Sequence, residues 1–235
     1  MPPMRTPMDL TEALVALVER IEPDPGPAPG IADPTEDELR ARAAQLLDAH
    51  QPKPLWLFAY GSLIWKPEVE HLGHVTATAH GWHRSFCMRL NRWRGTNELP
   101  GLMMALDRGG SCAGVAYRLP DHDHHGQLLR LLMRETDGNP ATNVPHWISL
   151  ATADGPVRAL AFVAAPQGPR YAGRLPLQEV AATLARAAGH WGSGAQYLYN
   201  TVRHLEAHGI RDRNLWTLQA LVADEIRRLH LSEAA

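Results

Sequence analysis

The chain has 235 residues, which is enough for one sizeable domain, or for one domain with an extension. Its 45% hydrophobic and 20% charged residues exclude a disordered chain, and its net charge of −2 disfavours an obligate nucleic-acid or membrane partner. Two cysteines, no recognisable signal peptide and no apolar run of membrane-spanning length predict a cytoplasmic protein with reduced thiols.

Residues 1–53 predict a helical extension with a proline-rich linker. The first helix carries apolar residues on one face, namely Leu10, Leu14, Leu17, Val18 and Ile21. The prolines and glycines of 23–30 fit neither a helix nor a strand, so this segment is predicted to be a stiff linker. A second helix starts after Thr35, whose spacing to Glu38 is that of a capping box. We expect the main domain to span residues 54–235.

The stretch 55–165 changes to short β-prone segments that glycine and aspartate turns separate. Segments of this kind are predicted at 55–60, 74–80, 82–89, 102–107, 112–119, 144–150 and 157–165. Short strands in such close succession favour a barrel or a strongly curled sheet. A leucine-rich helix over roughly 124–135 interrupts them and ends at Glu135.

After residue 175 the pattern becomes helical. An alanine-rich helix is predicted over 179–188, another from Tyr197 to about His208, and a last one that Asp212 can cap. Gly209 is placed to end the middle helix in the left-handed conformation. The expected fold class is α+β: a small β-barrel with flanking helices, plus the N-terminal helical extension.

The first predicted strand ends in a turn that suits an anionic ligand. Gly61 and Ser62 break the apolar run and can expose several backbone N–H groups in one concavity. Such a concavity suits a substrate carboxylate, or an oxyanion formed during a reaction. An ordinary turn after a strand is the alternative, and the tripeptide Tyr-Gly-Ser alone does not exclude it.

Glu135 is the candidate general base. At a helix C-terminus it faces the negative end of the helix dipole, and the leucines around it would remove water from its carboxylate. Both effects raise its pKa toward neutrality, which suits a general base. Arg134 can oppose the shift by pairing with Glu135, and a solvated glutamate at a fraying helix end is the alternative.

Three further patterns carry weaker hypotheses. The basic and aromatic residues of 82–95 have a nucleic-acid-binding pattern, but their alternation fits a hairpin strand beside a pocket as well. The histidines of 121–125 have no second ligand motif, so we expect this turn to cap the following helix rather than to hold a metal. Cys87 and Cys112 are expected in the core.

The stretch 58–67, with the sequence FAYGSLIWKP, strongly resembles the opening strand and loop of ChaC-type γ-glutamylcyclotransferases. Further stretches resemble the same family in the same order: GWHRSF at 81–86, RGT at 94–96 with PGL at 100–102, GVAYRL at 114–119 and LMRE at 132–135. Residues 189–198 and 209–215 resemble its closing helices. The resemblance covers roughly 54–230, and ordered matches are far more specific than one motif.

This resemblance implies an activity and a site. Members of the family cleave γ-glutamyl peptides, chiefly glutathione, into 5-oxoproline and the released amine. Because the α-amine of the substrate attacks its own γ-carbonyl, we expect no metal or cofactor. The resemblance places the catalytic carboxylate at Glu135. It assigns substrate binding to Leu57, Phe58, Ala59, Tyr60, Gly61, Ser62, Leu63 and Tyr197. The implied partner is a small molecule, glutathione or another γ-glutamyl peptide.

The chain departs from the family at two places, and the second leaves the substrate preference open. Thr136 stands where the family often has methionine, and the insertion-like segment 137–142 can reshape the pocket rim. The first alternative is therefore a cyclotransferase for other γ-glutamyl-amines or γ-glutamyl-amino acids. The second is a non-catalytic module that binds RNA or an acidic ligand through 82–95. The oligomeric state stays open, as does the residue that would hold the glycine carboxylate, for which the candidates are Arg84, Arg89 and Arg118.

Overall fold

The structure, a computed structural model, describes residues 7–27, 32–50, 54–136 and 138–230. The chain divides into two compact units. The described parts of Gly26–Arg89 and Met104–Arg174 form the barrel unit, and those of Met1–Pro25, Leu90–Met103 and Leu175–Ala235 form the helical unit. Within the described ranges, no helix combines the length and the apolar character needed to cross a bilayer.

Five strands close into a barrel. They are β1 (Trp56–Ala59), β2 (Gly73–Leu90), β3 (Gly101–Arg118), β4 (Asn143–Thr152) and β5 (Gly155–Ala164). Their order around the barrel is β1-β3-β2-β4-β5, with a further pairing between β3 and β5. β4 and β5 form a hairpin in which Thr152 lies opposite Gly155, next to the turn predicted at 154–156.

β1 is covered on both edges. It pairs antiparallel with β3 and parallel with β5, so that Leu57 lies opposite both Tyr117 and Leu160. Leu57, Phe58 and Ala59 are fully buried. A strand buried in this way is apolar throughout rather than alternating, which explains the unbroken run in the sequence. Because β1 is paired on both edges, the turn that follows it begins at a fixed position in the barrel.

The predicted number of strands was wrong, because two pairs of predicted segments are continuous. Segments 74–80 and 82–89 are parts of β2, and 102–107 and 112–119 are parts of β3. The interruptions are glycines with positive φ, at +80° for Gly81, +104° for Gly109 and +71° for Gly110. Glycine adopts these angles without a steric penalty, so each strand can bend there without ending.

Two helices belong to the barrel unit, α2 (Glu36–Asp48) and α3 (His124–Glu135). The predicted capping box is present, since Thr35 and Glu38 each bind the backbone N–H of the other. α3 spans the predicted residues, and the Asp123 side chain accepts from the Gly126 N–H at its start. α2 and α3 pack against each other. α3 buries four leucines, namely Leu128, Leu129, Leu131 and Leu132.

The helical unit contains the four other α-helices of the described residues and a short hairpin. The helices are α1 (Glu12–Val18), α4 (Leu177–Leu184), α5 (Gly194–Ala207) and α6 (Arg213–His230). The hairpin pairs β6 (Ala188–Gly189) with β7 (Gly192–Ser193) and was not predicted. Gly209 has a φ of +72° after α5, as predicted, and Asp212 accepts hydrogen bonds from the N–H groups of Asn214 and Leu215.

The first helix is shorter than predicted. α1 ends at Val18, the next residue is extended, and Ile21 is 81% exposed. Pro23 disfavours helical backbone at the residue before it, which limits the helix from that side. α1 lies in the helical unit and α2 in the barrel unit, and residues 28–30 of the predicted linker lie outside the described residues. The predicted domain boundary at 53/54 stays a prediction. The α+β barrel with flanking helices is confirmed.

Arg84→Met should destabilise the barrel. Arg84 is 6% exposed, its Nε donates to the Tyr60 carbonyl at 2.7 Å, and its Nη2 donates to the Ala113 carbonyl. Removing the guanidinium takes a charged donor away from both carbonyls, so we expect a loss of about 1–3 kcal/mol in the free energy of unfolding. Denaturant unfolding measures the loss. Arg89→Met, at an exposed position of β2, is the control and should change stability little; equal losses in both variants would contradict the prediction.

Candidate active site

Glu135 is the last residue of α3, where the chain leaves the leucine-rich helix. Its side chain is only 15% exposed. Burial raises the pKa of the Glu135 carboxyl above its ordinary value, and the negative charge of Glu68 adds to the rise. The upward shift predicted from the sequence is therefore present, with burial as its largest cause.

Two neighbours hold the ionised form of this carboxyl. Arg134 Nε lies 3.0 Å from Glu135 Oε1, and its positive charge opposes the rise in pKa. The side-chain Nδ2 of Asn143 donates to the Glu135 backbone carbonyl at 3.0 Å and to Oε2 at 3.5 Å. Both carboxylate oxygens thus have a partner, while the group remains easier to protonate than a glutamate in water.

Arg134 also joins Glu135 to the turn after β1. Its Nη2 donates to Ser62 Oγ at 3.3 Å, and its Nη1 donates to the Lys66 carbonyl and lies 3.4 Å from Glu68 Oε2. A guanidinium carries several donors in one rigid plane, so it can hold these oxygens together. The geometry therefore brings the carboxylate and the turn into one site within the barrel unit.

The turn is a 3-10 helix formed by Ser62–Ile64. Its first hydrogen bond runs from the Ile64 N–H to the Gly61 carbonyl at 3.0 Å. The N–H groups that precede such a bond have no acceptor within the helix. Those of Gly61, Ser62 and Leu63 stand at these positions, so they are the donors that a carboxylate or an oxyanion can use.

Most predicted binding residues place their side chains in the core. Leu57, Phe58 and Ala59 are fully buried, and Leu63 is 4% exposed. The Tyr60 hydroxyl donates to the Phe162 carbonyl at 2.8 Å, so it is used inside the barrel. These residues can build and hold the turn, and what they can offer a ligand is mainly backbone.

Tyr197 lies on α5 in the helical unit and is 3% exposed. The guanidinium of Arg94 stands 5.3 Å from the centre of its ring and donates to the Ser193 carbonyl at 2.9 Å. Burial lowers the pKa of Arg94, while the charges of Tyr197 and Glu19 oppose this. The substrate-binding role of Tyr197 stays a prediction.

Two residues beside Glu135 were missed in the sequence. Asn143 is the first residue of β4, one position before the predicted strand, and Glu68 follows the resembling stretch 58–67. Neither belongs to a recognisable motif, and both meet Glu135 only through folding. Glu68 has a φ of +53°, which a sequence pattern does not reveal.

The remaining patterns have structural explanations. Among the described residues, no His, Cys, Asp and Glu side chains gather in a group that could hold a metal ion. Cys87 and Cys112 are buried, as predicted, and burial raises the pKa of the Cys87 thiol to about 12. Arg84 donates to backbone carbonyls inside the barrel, which argues against a role for it in holding the glycine carboxylate.

The fold belongs to a known class. The crystal structure of a selenomethionine-labelled γ-glutamyl cyclotransferase specific to glutathione from yeast matches with a TM-score of 0.68 at 19% identity. The match covers 75% of this chain and 98% of the yeast chain. This chain therefore has the fold of a γ-glutamyl cyclotransferase. Its buried carboxylate and its 3-10 turn lie on that fold.

The family follows from sequence comparison. The model of the ChaC-like protein family matches residues 55–225, and the chain belongs to this family. A glutathione-specific γ-glutamylcyclotransferase of Escherichia coli is 39% identical over 181 residues, which cover 77% of this chain and 78% of that protein. Glutathione-specific γ-glutamylcyclotransferase 1 of Mus musculus is 30% identical, with 80% of each chain covered.

Substitutions at Arg134 and Glu68 should move the pKa of Glu135 in opposite directions. Arg134→Met removes the cation that opposes the shift, so the pKa should rise further. Glu68→Gln removes the like charge, so it should fall. A carboxyl carbon-13 NMR titration of Glu135 measures both. Arg130→Met, which removes an exposed cation of α3 that pairs with Asp123, should leave the titration unchanged. Shifts in the same direction at 134 and 68 would contradict this electrostatic account.

Proposed function

We propose that this protein is a γ-glutamylcyclotransferase that cleaves glutathione into 5-oxoproline and cysteinylglycine. The observation that carries the proposal is the buried Glu135 carboxylate, linked through Arg134 to the turn at Ser62. The names of the relatives from Escherichia coli and Mus musculus support glutathione as the substrate. We place the reaction in the cytoplasm, and we propose no metal or cofactor for it.

The reaction needs no external nucleophile. The α-amine of the glutamyl group attacks its own γ-carbonyl carbon, an N–C bond closes the five-membered lactam, and the bond to the cysteine nitrogen breaks. The protein has to hold a flexible glutamyl chain in a bent conformation. Orientation of this kind lowers a barrier by up to about 7–11 kcal/mol in well-oriented systems.

Glu135 moves the proton. The α-amine is largely protonated at pH 7 and must lose a proton before it can attack. Glu135 takes this proton and gives it to the departing nitrogen, so that cysteinylglycine leaves as a neutral amine. The ionised Glu135 then takes the second proton, which the ring nitrogen loses as the lactam forms, and releases it to solvent. Its raised pKa suits these steps, because the carboxyl must accept and release a proton near neutrality.

In this proposal the turn binds a negatively charged group of the substrate. The backbone N–H groups of Gly61, Ser62 and Leu63 receive either the glutamyl α-carboxylate or the oxyanion of the tetrahedral intermediate. Backbone donors in a fixed turn need no reorganisation when this charge develops. Leu57, Phe58, Ala59 and Tyr60 support the turn from the core, and we retain Tyr197 as a further substrate-binding residue.

Purified protein incubated with glutathione should release 5-oxoproline and cysteinylglycine, which mass spectrometry detects. Glu135→Gln should lower the rate at least about 10²-fold without loss of the fold, because it removes the positioned acid/base. Glu206→Gln, on α5, is the control and should retain the rate. Near-normal turnover by folded Glu135→Gln would remove Glu135 from the mechanism.

Substrate preference separates the alternatives. Turnover of glutathione, γ-glutamyl-alanine and γ-glutamyl-lysine, each followed by 5-oxoproline release, should favour glutathione. If the protein prefers either of the other two, its substrate is another γ-glutamyl compound and not glutathione. Salt-dependent oligonucleotide binding without 5-oxoproline would instead favour the non-catalytic module.

The raised pKa of Glu135 also predicts how stability depends on pH. A carboxyl with a folded pKa above its unfolded value costs stability once it ionises, so its contribution falls as pH rises from 4.5 through the raised pKa. Glu135→Gln should therefore gain in stability over the unsubstituted chain as pH rises from 4 to 8. Glu38→Gln should do the opposite at lower pH, losing stability relative to the unsubstituted chain as pH rises toward 4.5, because the Thr35 hydrogen bonds lower the Glu38 pKa and its contribution is lost only below 4.5. Denaturation midpoints at several pH values test both, and parallel curves would contradict the signs.

A further inference from the structure

The side-chain amide of Asn143 makes hydrogen bonds through its nitrogen but none through its oxygen among the described residues. Asn143 is 4% exposed at the start of β4, beside the end of α3. Nδ2 binds the Glu135 carbonyl and carboxylate, whereas Oδ1 is buried and has no hydrogen-bond partner among the described residues. Buried amide oxygens nearly always have a donor, so this one calls for an explanation.

The surroundings of Oδ1 indicate the chemistry of the missing donor. An amide oxygen accepts hydrogen bonds and donates none, so its partner must carry an N–H or O–H group. Nδ2 of the same amide already orients Glu135, so the partner approaches next to that carboxylate. A cationic donor fits best, because a second acceptor or an anion would be repelled by both groups.

We propose that Asn143 Oδ1 binds the α-ammonium of the γ-glutamyl substrate, while Nδ2 of the same side chain positions Glu135 to take a proton from that ammonium. This role rests on the proposed function and adds no covalent step. An ammonium has three N–H groups: one points to Asn143, one to Glu135, and loss of the latter proton leaves a lone pair. Asn143 thereby sets the direction from which the amine attacks.

This assignment makes Asn143 a specificity residue for the amine. A ligand without the α-amine has nothing to give Oδ1, so it should gain nothing from the asparagine. Glutaryl-cysteinylglycine is such a ligand, since it differs from glutathione only in lacking that amine. The two ligands can be compared without turnover in the Glu135→Gln background.

The binding arm of the test uses calorimetry with both ligands. Asn143→Leu, which is nearly isosteric, should weaken glutathione binding about tenfold or more, as for other hydrogen bonds to charged groups. It should change binding of glutaryl-cysteinylglycine less than about twofold. Asn143→Asp retains an acceptor at this position, so it should bind glutathione at least as well as the parent chain.

The positioning arm uses the chain with Glu135 intact and needs no activity. Asn143→Leu should raise the pKa of Glu135, because the Asn143 hydrogen bond lowers it. Asn143→Asp should raise it as well, through a like charge. The carboxyl NMR titration of Glu135 reads out both. Asn143→Asp thus separates the two roles: it keeps the amine acceptor and loses the donor to Glu135.

Gln127→Met is the matched control. Gln127 is 1% exposed on α3, its Nε2 donates to the His122 carbonyl at 3.2 Å, and its Oε1 also lacks a partner among the described residues. None of the hydrogen bonds that the structure gives for Gln127 involves Glu135. Both Asn143→Leu and the control remove a buried amide donor, so we expect both to lose stability, but the control should move neither the ligand preference nor the Glu135 pKa.

Three results would overturn the inference in distinguishable ways. Equal weakening of both ligands by Asn143→Leu would show a merely structural asparagine. An unchanged Glu135 pKa would remove the positioning role. If the Glu135→Gln chain binds no glutathione and the unsubstituted chain releases no 5-oxoproline, the proposed function is wrong, and so is the binding of the ammonium by Asn143. The NMR titration still decides whether Asn143 positions Glu135.

Discussion

The site depends on a buried carboxylate whose ionised form is only partly stabilised by its neighbours. Glu135 ends a helix whose leucines are buried, so ionising it costs free energy. Arg134 and Asn143 offset part of that cost, and the pKa remains above its ordinary value. A fully compensated carboxylate would be a weak base, and an uncompensated one would stay protonated. The incomplete compensation is what suits proton transfer near neutrality.

The same cation also fixes the turn that would receive the substrate. Arg134 reaches Ser62, and Arg84 binds the Tyr60 carbonyl from inside the barrel. The turn after β1 is therefore held by one guanidinium on each side of Gly61. Donors held this firmly are already in place before negative charge develops on a ligand. The Glu135 carboxylate and the turn thus share Arg134 as a support, so a change at that residue alters both.

The local features of this chain could be predicted, and the features formed through space could not. The capping box at Thr35, the span of α3 and the upward pKa shift of Glu135 follow from neighbours in sequence. The two long strands were divided in the prediction because glycines usually mark turns, whereas here Gly81 and Gly109 lie within strands. Asn143 and Glu68 meet Glu135 only after the barrel closes, and no local pattern identifies them.

Glu68 explains how Arg134 can position Glu135 while the Glu135 pKa stays above the ordinary value. An arginine paired with Glu135 alone would hold the carboxylate in place, but its charge would also lower the pKa. Glu68 lies 3.4 Å from Nη1 of the same guanidinium, so the cation is shared between two carboxylates. Its negative charge also raises the Glu135 pKa directly, while its own pKa is lowered by Lys66 and Arg134. The acidic neighbour therefore leaves the hydrogen bonds of Arg134 in place and offsets part of its electrostatic effect on the Glu135 pKa.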